Sequence, residues 1–235
     1  HFSPQVLRRA KNFSYDRANL FWGPVVVYEM PKYKAVSFNP DCGMQPRVYW
    51  GVKDPEYLKD KYQGDLFSRG WSEKIYLFTG PDIIWDKTRA PEGKYTIHTE
   101  QFTCPERFFS ERKWLKLKRD FVKEMLRQWQ WYAPNMTEDN LIDAHITTPY
   151  DILRRNINMG EGSWAVGAMF ASQMGRFRPI PELAYYRTPI ENIYHGSGAT
   201  HFGGGIGRSG SYNCYKVIAE DLGLRKIWEE KGRPF

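Results

Sequence analysis

A chain of 235 residues with 41% hydrophobic side chains can bury the core of one large domain or two small ones, and it is too apolar to be disordered. Its net charge of +7 is scattered, with one denser run at 111–131 and no zinc-finger spacing, RNP-type motif or basic tail, which sets nucleic-acid binding aside. There is no run of 18 apolar residues, so no membrane-spanning helix is expected.

The chain begins HFSPQVLRRAKNFSYD, with no Met and no signal or transit pattern, and reads as a sequence entered in mid-domain. Processing or truncation would each account for that. From 19 to 37, NLFWGPVVVYEMPKYKAVS gives two β-rich runs broken by Pro24 and Pro31. RVYWGVKD (47–54) and EKIYLFTGPDIIWD (73–86) are further strand candidates, rich in aromatic and β-branched residues. In KYTIHTEQFT (94–103), Tyr95, Ile97, Thr99 and Gln101 alternate with Thr96, His98, Glu100 and Phe102. With turn clusters such as NPDCG and APEGK between them, these runs predict a mixed or antiparallel sheet.

The spacing predicts a helix over 111–131. Trp114, Leu117, Phe121, Met125 and Gln128 form one row, with Leu115, Val122, Leu126 and Trp129 beside it. Ser110 is the candidate N-cap, and Pro134 lies beyond the end. The lysines and arginines fall mostly on the opposite, solvated face. NLIDAHITTP (140–149) is a helix turn or a strand; its spacing leaves both open. TPYDILRRNINMGEGS follows as a turn, one helical piece and a Gly-rich loop. Pro179, Pro181 and Pro189 keep the next segment extended or looped. A short strand over 192–195 then runs into glycine. Beyond it, Tyr215, Ile218, Ala219 and Leu222 mark one helical face, and Gly223 the C-cap.

The glycine segment asks for a ligand. Gly196, Gly198, Gly203, Gly204, Gly205, Gly207 and Gly210 fall within fifteen residues. Glycine admits positive φ and close backbone approach, and the following helix offers unpaired N–H groups with a positive dipole end. Such a loop suits a phosphate or the electron-rich edge of a ring. The literal Gly-x-Gly-x-x-Gly from Gly205 to Gly210 is not a dinucleotide fingerprint: Gly205 lies ten residues past the expected strand, and no second strand ends in Asp or Glu some 20 residues on. The three cysteines, Cys42, Cys104 and Cys214, form no C-x-x-C pair, which argues against zinc and redox motifs and suits a reducing compartment.

YRTPIENIYHGSGATHFGGGIGRSGSYNCYKVI (186–218) resembles the C-terminal flavin-contacting segment of phytoene desaturase-like FAD oxidoreductases, a family that includes carotenoid desaturases and isomerases and retinol saturase. Tyr186-Arg187-Thr188-Pro189 and Gly198-Ala199-Thr200-His201-Phe202-Gly203-Gly204-Gly205 carry the resemblance, with Phe202 where the family has proline. TRAPEGKYTIHT (88–99) and the region from Thr148 to Glu182 are similar to further family segments. The resemblance implies an α+β or α/β fold: the C-terminal half of a two-domain FAD oxidoreductase. Residues 1–140 would be a substrate domain with a mixed or antiparallel sheet and the 111–131 helix. Residues 141–235 would be the C-terminal part of the FAD domain.

It implies FAD as cofactor, an apolar substrate (a polyene, an isoprenoid or an aromatic alcohol), and hydride transfer to the flavin. It also implies a second subunit carrying the N-terminal Rossmann half, the simplest source of the other wall of the flavin site. Gly198, Ala199, Thr200, His201, Gly203, Gly204, Gly205 and Tyr212 are the expected cofactor contacts, and His201 the expected catalytic residue, orienting the flavin or accepting a proton. The alternative for His201 is a structural bond to the loop backbone. Arg155, Arg178 and Tyr186 are the expected substrate contacts, with structural salt bridges the alternative for the arginines. His145 and His195 fit core or surface roles better. The expected compartment is the cytoplasm, with peripheral membrane attachment open. Two other functions remain: a flavin-free scaffold or binding subunit derived from the family, and a basic binding protein.

Overall fold

A computed structural model describes residues 1–15, 19–204 and 208–230. The first element, helix α1 (Pro4–Lys11), has its start written locally: Ser3 caps it by accepting from the Val6 N–H at 3.3 Å, and Pro4 takes the first turn. Five strands follow, β1 (Asn19–Val27), β2 (Val48–Trp50), β3 (Leu77–Gly80), β4 (Tyr95–Thr103) and β5 (Leu141–Ala144). The helices after α1 are α2 (Pro55–Lys59), α3 (Phe67–Arg69), α4 (Glu111–Trp129), α5 (Pro149–Arg155) and α6 (Arg208–Asp221), with a π-helical turn, Asp60–Leu66, between α2 and α3. The strands lie in the order β2-β3-β4-β1-β5, and every pairing among them is antiparallel. The fold is therefore α+β. No described helix is long and apolar enough to cross a membrane.

The chain forms two compact units, residues 19–157 and residues 1–18 with 158–235. The sequence reading draws its line at residue 140; in the structure Leu141–Ala144 pairs with β1 as the sheet's last strand. In the 19–157 unit the alternation along β1 and β4 separates two faces. Phe21, Val25, Val27, Ile97 and Leu77 face inward against Trp114, Leu117, Phe121, Met125 and Trp129 of α4. The Phe21 ring sits 5.0 Å from Phe121 and 5.9 Å from Trp114, and Trp50 lies 5.4 Å from Trp129. Gly23 is forced by close approach: a Cβ there would lie 1.9 Å from the His145 carbonyl oxygen, where the 145–147 segment runs along β1.

Several expected strands are shorter or absent, each for a visible reason. Lys34–Ser37 is a 3-10 turn, because the chain after Pro31 docks on the end of α4: Lys32 N–H donates to Asn135 Oδ1 (2.8 Å) and Lys34 N–H to the Tyr132 carbonyl (2.8 Å). Within 73–86 only Leu77–Gly80 joins the ladder; Ile75 and Tyr76 donate instead to the side-chain oxygens of Gln128 (3.3 Å) and Gln101 (3.1 Å). Ser110 caps α4 by position, with no side-chain bond. At 192–195 there is no strand, only a tight hairpin with one bridge, Arg187 to Tyr194. Gly223 ends α6 as expected, at φ +62° with Leu224 N–H returning to the Ala219 carbonyl. Gly210, Cys214 and Ala219 of that helix are buried, while Leu222 is exposed.

Candidate functional site

Around the glycine loop the backbone folds on itself through Ser197 and Thr200. The Ser197 carbonyl accepts from both the N–H (3.0 Å) and the hydroxyl (2.7 Å) of Thr200, and the Ser197 hydroxyl accepts from Ala199 N–H at 3.1 Å. Gly203 N–H donates to the Thr200 carbonyl at 2.6 Å and Gly204 N–H to the Gly198 carbonyl at 3.1 Å. Gly203 and Gly204 sit at φ +77° and +55°, and a Cβ on them would meet Arg178 Cζ at 2.8 Å and Met169 Cε at 2.1 Å. Gly205 and Gly207 lie outside the described residues. The loop is also in close contact with α6. A Cβ on Gly196 would lie 2.7 Å from Cys214 Cβ, and one on Gly210 2.5 Å from Thr200 Oγ1, so the first turns of the helix lie against residues 196–201.

Arg178 holds this loop from inside. It has no exposed surface. Its Nη1 donates to the Ala168 carbonyl at 2.7 Å, and its Nη2 to the carbonyls of Gly198 (3.0 Å), Val166 (3.2 Å) and Ala165 (3.3 Å). Phe13 lies beneath the guanidinium at 5.4 Å, and burial lowers its pKa. The substrate contact expected of Arg178 is thus corrected to a positioning role: the guanidinium joins segment 165–168 to Gly198 and presents no face outward. Tyr186 is likewise turned inward. It is buried at φ +70°, and its hydroxyl donates to the His201 carbonyl at 3.0 Å, so it braces His201. Arg155 is exposed in the last turn of α5, in the 19–157 unit.

The expected cofactor contacts divide by exposure. Thr200 is fully buried; Gly198, Ala199, His201, Gly203, Gly204 and Tyr212 are partly exposed. His201 Nδ1, the Tyr212 hydroxyl, Trp164 Nε1 and Arg178 Nε are buried polar atoms of this unit with no hydrogen-bond partner among the described residues. Such groups are uncommon and cost about 1–3 kcal/mol each when left so. The His201 ring is tilted 32° against the exposed Phe202 ring, centroids 4.0 Å apart. Tyr212 carries the Lys216 ammonium over its ring at 4.6 Å. His195 shares a hydrogen bond with Ser197 Oγ at 3.0 Å, and burial pushes its pKa down.

Sequence reasoning named Arg178 for a different role and missed Gln173, a second long-armed side chain in the same stretch without regular structure. Its Oε1 accepts from Ser14 N–H (2.8 Å), and its Nε2 donates to the carbonyls of Ser14 (2.9 Å) and Ala168 (3.0 Å). A Pro- and Gly-rich segment leaves carbonyls that no ladder satisfies, and a buried Arg or Gln within it is the usual remedy. That is the signal available in the sequence. In the other unit, the sheet face away from α4 carries Trp22, Tyr49, Phe78 and Phe102, with His98 Nε2 and Glu100 Oε1 paired at 2.8 Å among them. His98 stands opposite Pro24 and Gly80 in the register, and the rings of Trp22 (5.8 Å) and Phe78 (6.4 Å) reach it diagonally from the two neighbouring strands.

No family model matches the chain. It is similar to one subunit of the limonene dehydrogenase of Castellaniella defragrans, 23% identical over 232 residues, which is 97% of this chain and 42% of that protein. It is also similar to pyridine nucleotide-disulfide oxidoreductase domain-containing protein 2 of the mouse, 26% identical over 205 residues (84% of this chain, 34% of that protein), and of the rat, 26% identical over 138 residues (58% and 23%). The chain thus spans less than half the length of each of these relatives. They are oxidoreductases by name, one of them a subunit, and this chain is similar to an oxidoreductase subunit.

Proposed function

We propose that the chain forms one wall of the flavin site of an FAD-dependent oxidoreductase that oxidises an apolar substrate by hydride transfer, as the resemblance to the phytoene desaturase-like family implies. The observation that carries this reading is the pair of buried, unpartnered polar atoms, His201 Nδ1 and the Tyr212 hydroxyl, beside a loop whose glycines are packed from behind and whose sequel is a helix N-terminus. These residues fit a polar, electron-rich ring. The backbone of 198–204 and the first turn of α6 would hold it, with His201 and Tyr212 supplying hydrogen bonds. Bound flavin supplies a two-electron acceptor for the substrate's hydride. The chain's own part is placement. Arg178 and Tyr186 fix the loop and the His201 backbone, His201 Nδ1 can hold or release a proton, and the Phe202 ring shields the histidine from water.

The aromatic face of the 19–157 sheet suits an apolar substrate, and its His98–Glu100 pair offers a polar contact for a hydroxyl. The remaining wall, with the Rossmann unit that binds the adenosine diphosphate, would come from chain beyond these 235 residues; in the limonene dehydrogenase subunit more than half of the same polypeptide lies outside the matched segment, and its being named a subunit supports a partner chain as well.

The test is purification from the native source without denaturant, with associated chains retained, followed by a visible spectrum. Bands near roughly 370 and 450 nm are expected, weakened in a His201→Ala variant. A colourless preparation that takes up no added FAD would overturn the flavin reading and leave a binding subunit.

A further inference from the structure

A cavity lies in the 19–157 unit, at the β2 edge of the sheet, with a volume of about 440 Å³. Small-molecule clefts fall in the range of roughly 300–1,000 Å³. Four rings line it: Tyr33, Tyr49, Trp131 and Tyr132. Among the described residues, the charged side chains in its wall are Lys34 and Arg47, and no carboxylate lines it. Lys34 is exposed and its Nζ has no partner among the described residues, while its backbone is fixed by the N–H on the Tyr132 carbonyl at 2.8 Å. Arg47 Nη1 donates to Asp82 (2.6 Å) and to the Pro46 carbonyl (2.7 Å), which leaves Nη2 and Nε without a hydrogen bond among the described residues. Two more cations stand over Trp131, Lys53 at 5.7 Å and Arg127 at 5.0 Å, the latter paired with Glu124.

The wall is fixed before any ligand arrives. Tyr33 is anchored at its hydroxyl, which accepts from Trp129 Nε1 at 3.3 Å, and Asn135 accepts from the Lys32 N–H. A preorganised cleft of this kind loses little entropy on binding. A flat apolar body would lie among the rings, and one anionic group would meet the unpaired Lys34 ammonium, with Arg47, paired to Asp82 and lying over Phe78, behind it.

We propose that this cavity is a binding site for a small apolar-ring carboxylate, separate from the glycine loop. Cys42 lies in its wall and reports on occupancy. It is the only partly exposed cysteine; Cys104 and Cys214 are buried, and burial pushes the Cys104 thiol up to about 12 and Cys214 up as well. Iodoacetamide should therefore alkylate Cys42 first.

The experiment follows the rate of that alkylation on the full chain by mass spectrometry, with added naphthoate or its uncharged counterpart naphthylmethanol. Naphthoate should slow the reaction saturably and act at a concentration about tenfold lower than naphthylmethanol. Lys34→Gln, a change at an exposed and unpaired ammonium, should remove most of that preference, and Lys87→Gln, outside the cavity, should leave it. Unchanged alkylation with saturating naphthoate overturns the site. Equal protection by both compounds, or an undiminished preference in Lys34→Gln, overturns its anionic character. Neither outcome depends on flavin, so the flavin reading stands or falls separately.

Discussion

Arg178 and Lys61 are the two fully buried cations of the described chain, and they are accommodated differently. Among the described residues Arg178 has no carboxylate partner; backbone carbonyls surround it instead. Replacing it with methionine keeps volume but leaves those carbonyls unbonded in a stretch with no ladder to take them. The expected loss is about 3–5 kcal/mol of stability, measurable by urea unfolding. A variant as stable as the parent would mean that the carbonyls find other donors. Lys61 is buried in the π-helical turn, where the Lys74 carbonyl is its one acceptor among the described residues, and burial lowers its pKa to about 7. The unfolded chain holds that proton up to the ordinary lysine value of 10.5. Between about 7 and 10.5 the unfolded state therefore binds more protons than the folded one, and stability should rise with pH through that window. Below it the full penalty applies, a few kcal/mol at about 1.4 kcal/mol per pKa unit. Burial raises Tyr57 and Tyr62 to about 12, which reverses the trend above pH 10 because the folded state then keeps protons that the unfolded one loses. Lys61→Met should flatten the rise in a pH series of melting temperatures; an unaltered slope would show that Lys61 stays charged.

Glycines at the scale of loops and turns separate packing from conformation. Gly204 and Gly93 both have positive φ, +55° and +72°. A Cβ at Gly93 meets nothing within 4 Å, whereas one at Gly204 meets Met169 Cε at 2.1 Å and Ala165 Cβ at 3.3 Å. Gly93→Ala should cost about 1 kcal/mol, the strain of a left-handed residue alone. Gly204→Ala should cost about 2–4 kcal/mol, because the overpacking adds to that strain. Paired denaturation curves decide it, and equal losses would mean that Met169 swings aside freely. The same comparison explains what the glycine run signals. At Gly196, Gly203, Gly204 and Gly210 the missing side chain makes room for other parts of this unit. The loop's shape is therefore built from behind, and its outward backbone is what remains for a ligand.

The two compact units differ in how they are held. Residues 19–157 form a continuous chain with an antiparallel sheet laid on α4 around one aromatic core. Expressed alone, this segment should fold and unfold cooperatively, with the near-ultraviolet signal of packed tryptophans such as Trp50 and Trp114. A molten segment without that signal would show that the sheet depends on the rest of the chain. The other unit is discontinuous. Ser14 and Phe13 are drawn against residues 167–178, and α6 closes on the loop through Cys214 and Gly210. Asp221 ties the hairpin to that helix, accepting from Arg187 at 2.7 and 2.8 Å and from the Tyr194 hydroxyl at 2.9 Å.

Local physics carried much of this into the sequence. The period of α4 gave its buried row, the alternation of β4 put His98 and Glu100 on one face, and Gly223 marked the end of α6, since each depends on residues a turn or less apart. The glycine loop and its following helix were legible for the same reason. Leu115 and Leu222 are exposed despite their place in the pattern, because a stripe says which residues can be buried and not how far a neighbour reaches. The inward roles of Arg178, Tyr186 and Gln173 could not be read locally: their partners lie from 5 to 159 residues away. Whether a long polar side chain meets a ligand or a carbonyl is decided by which backbone groups the fold leaves without a ladder, and only the tertiary structure determines that.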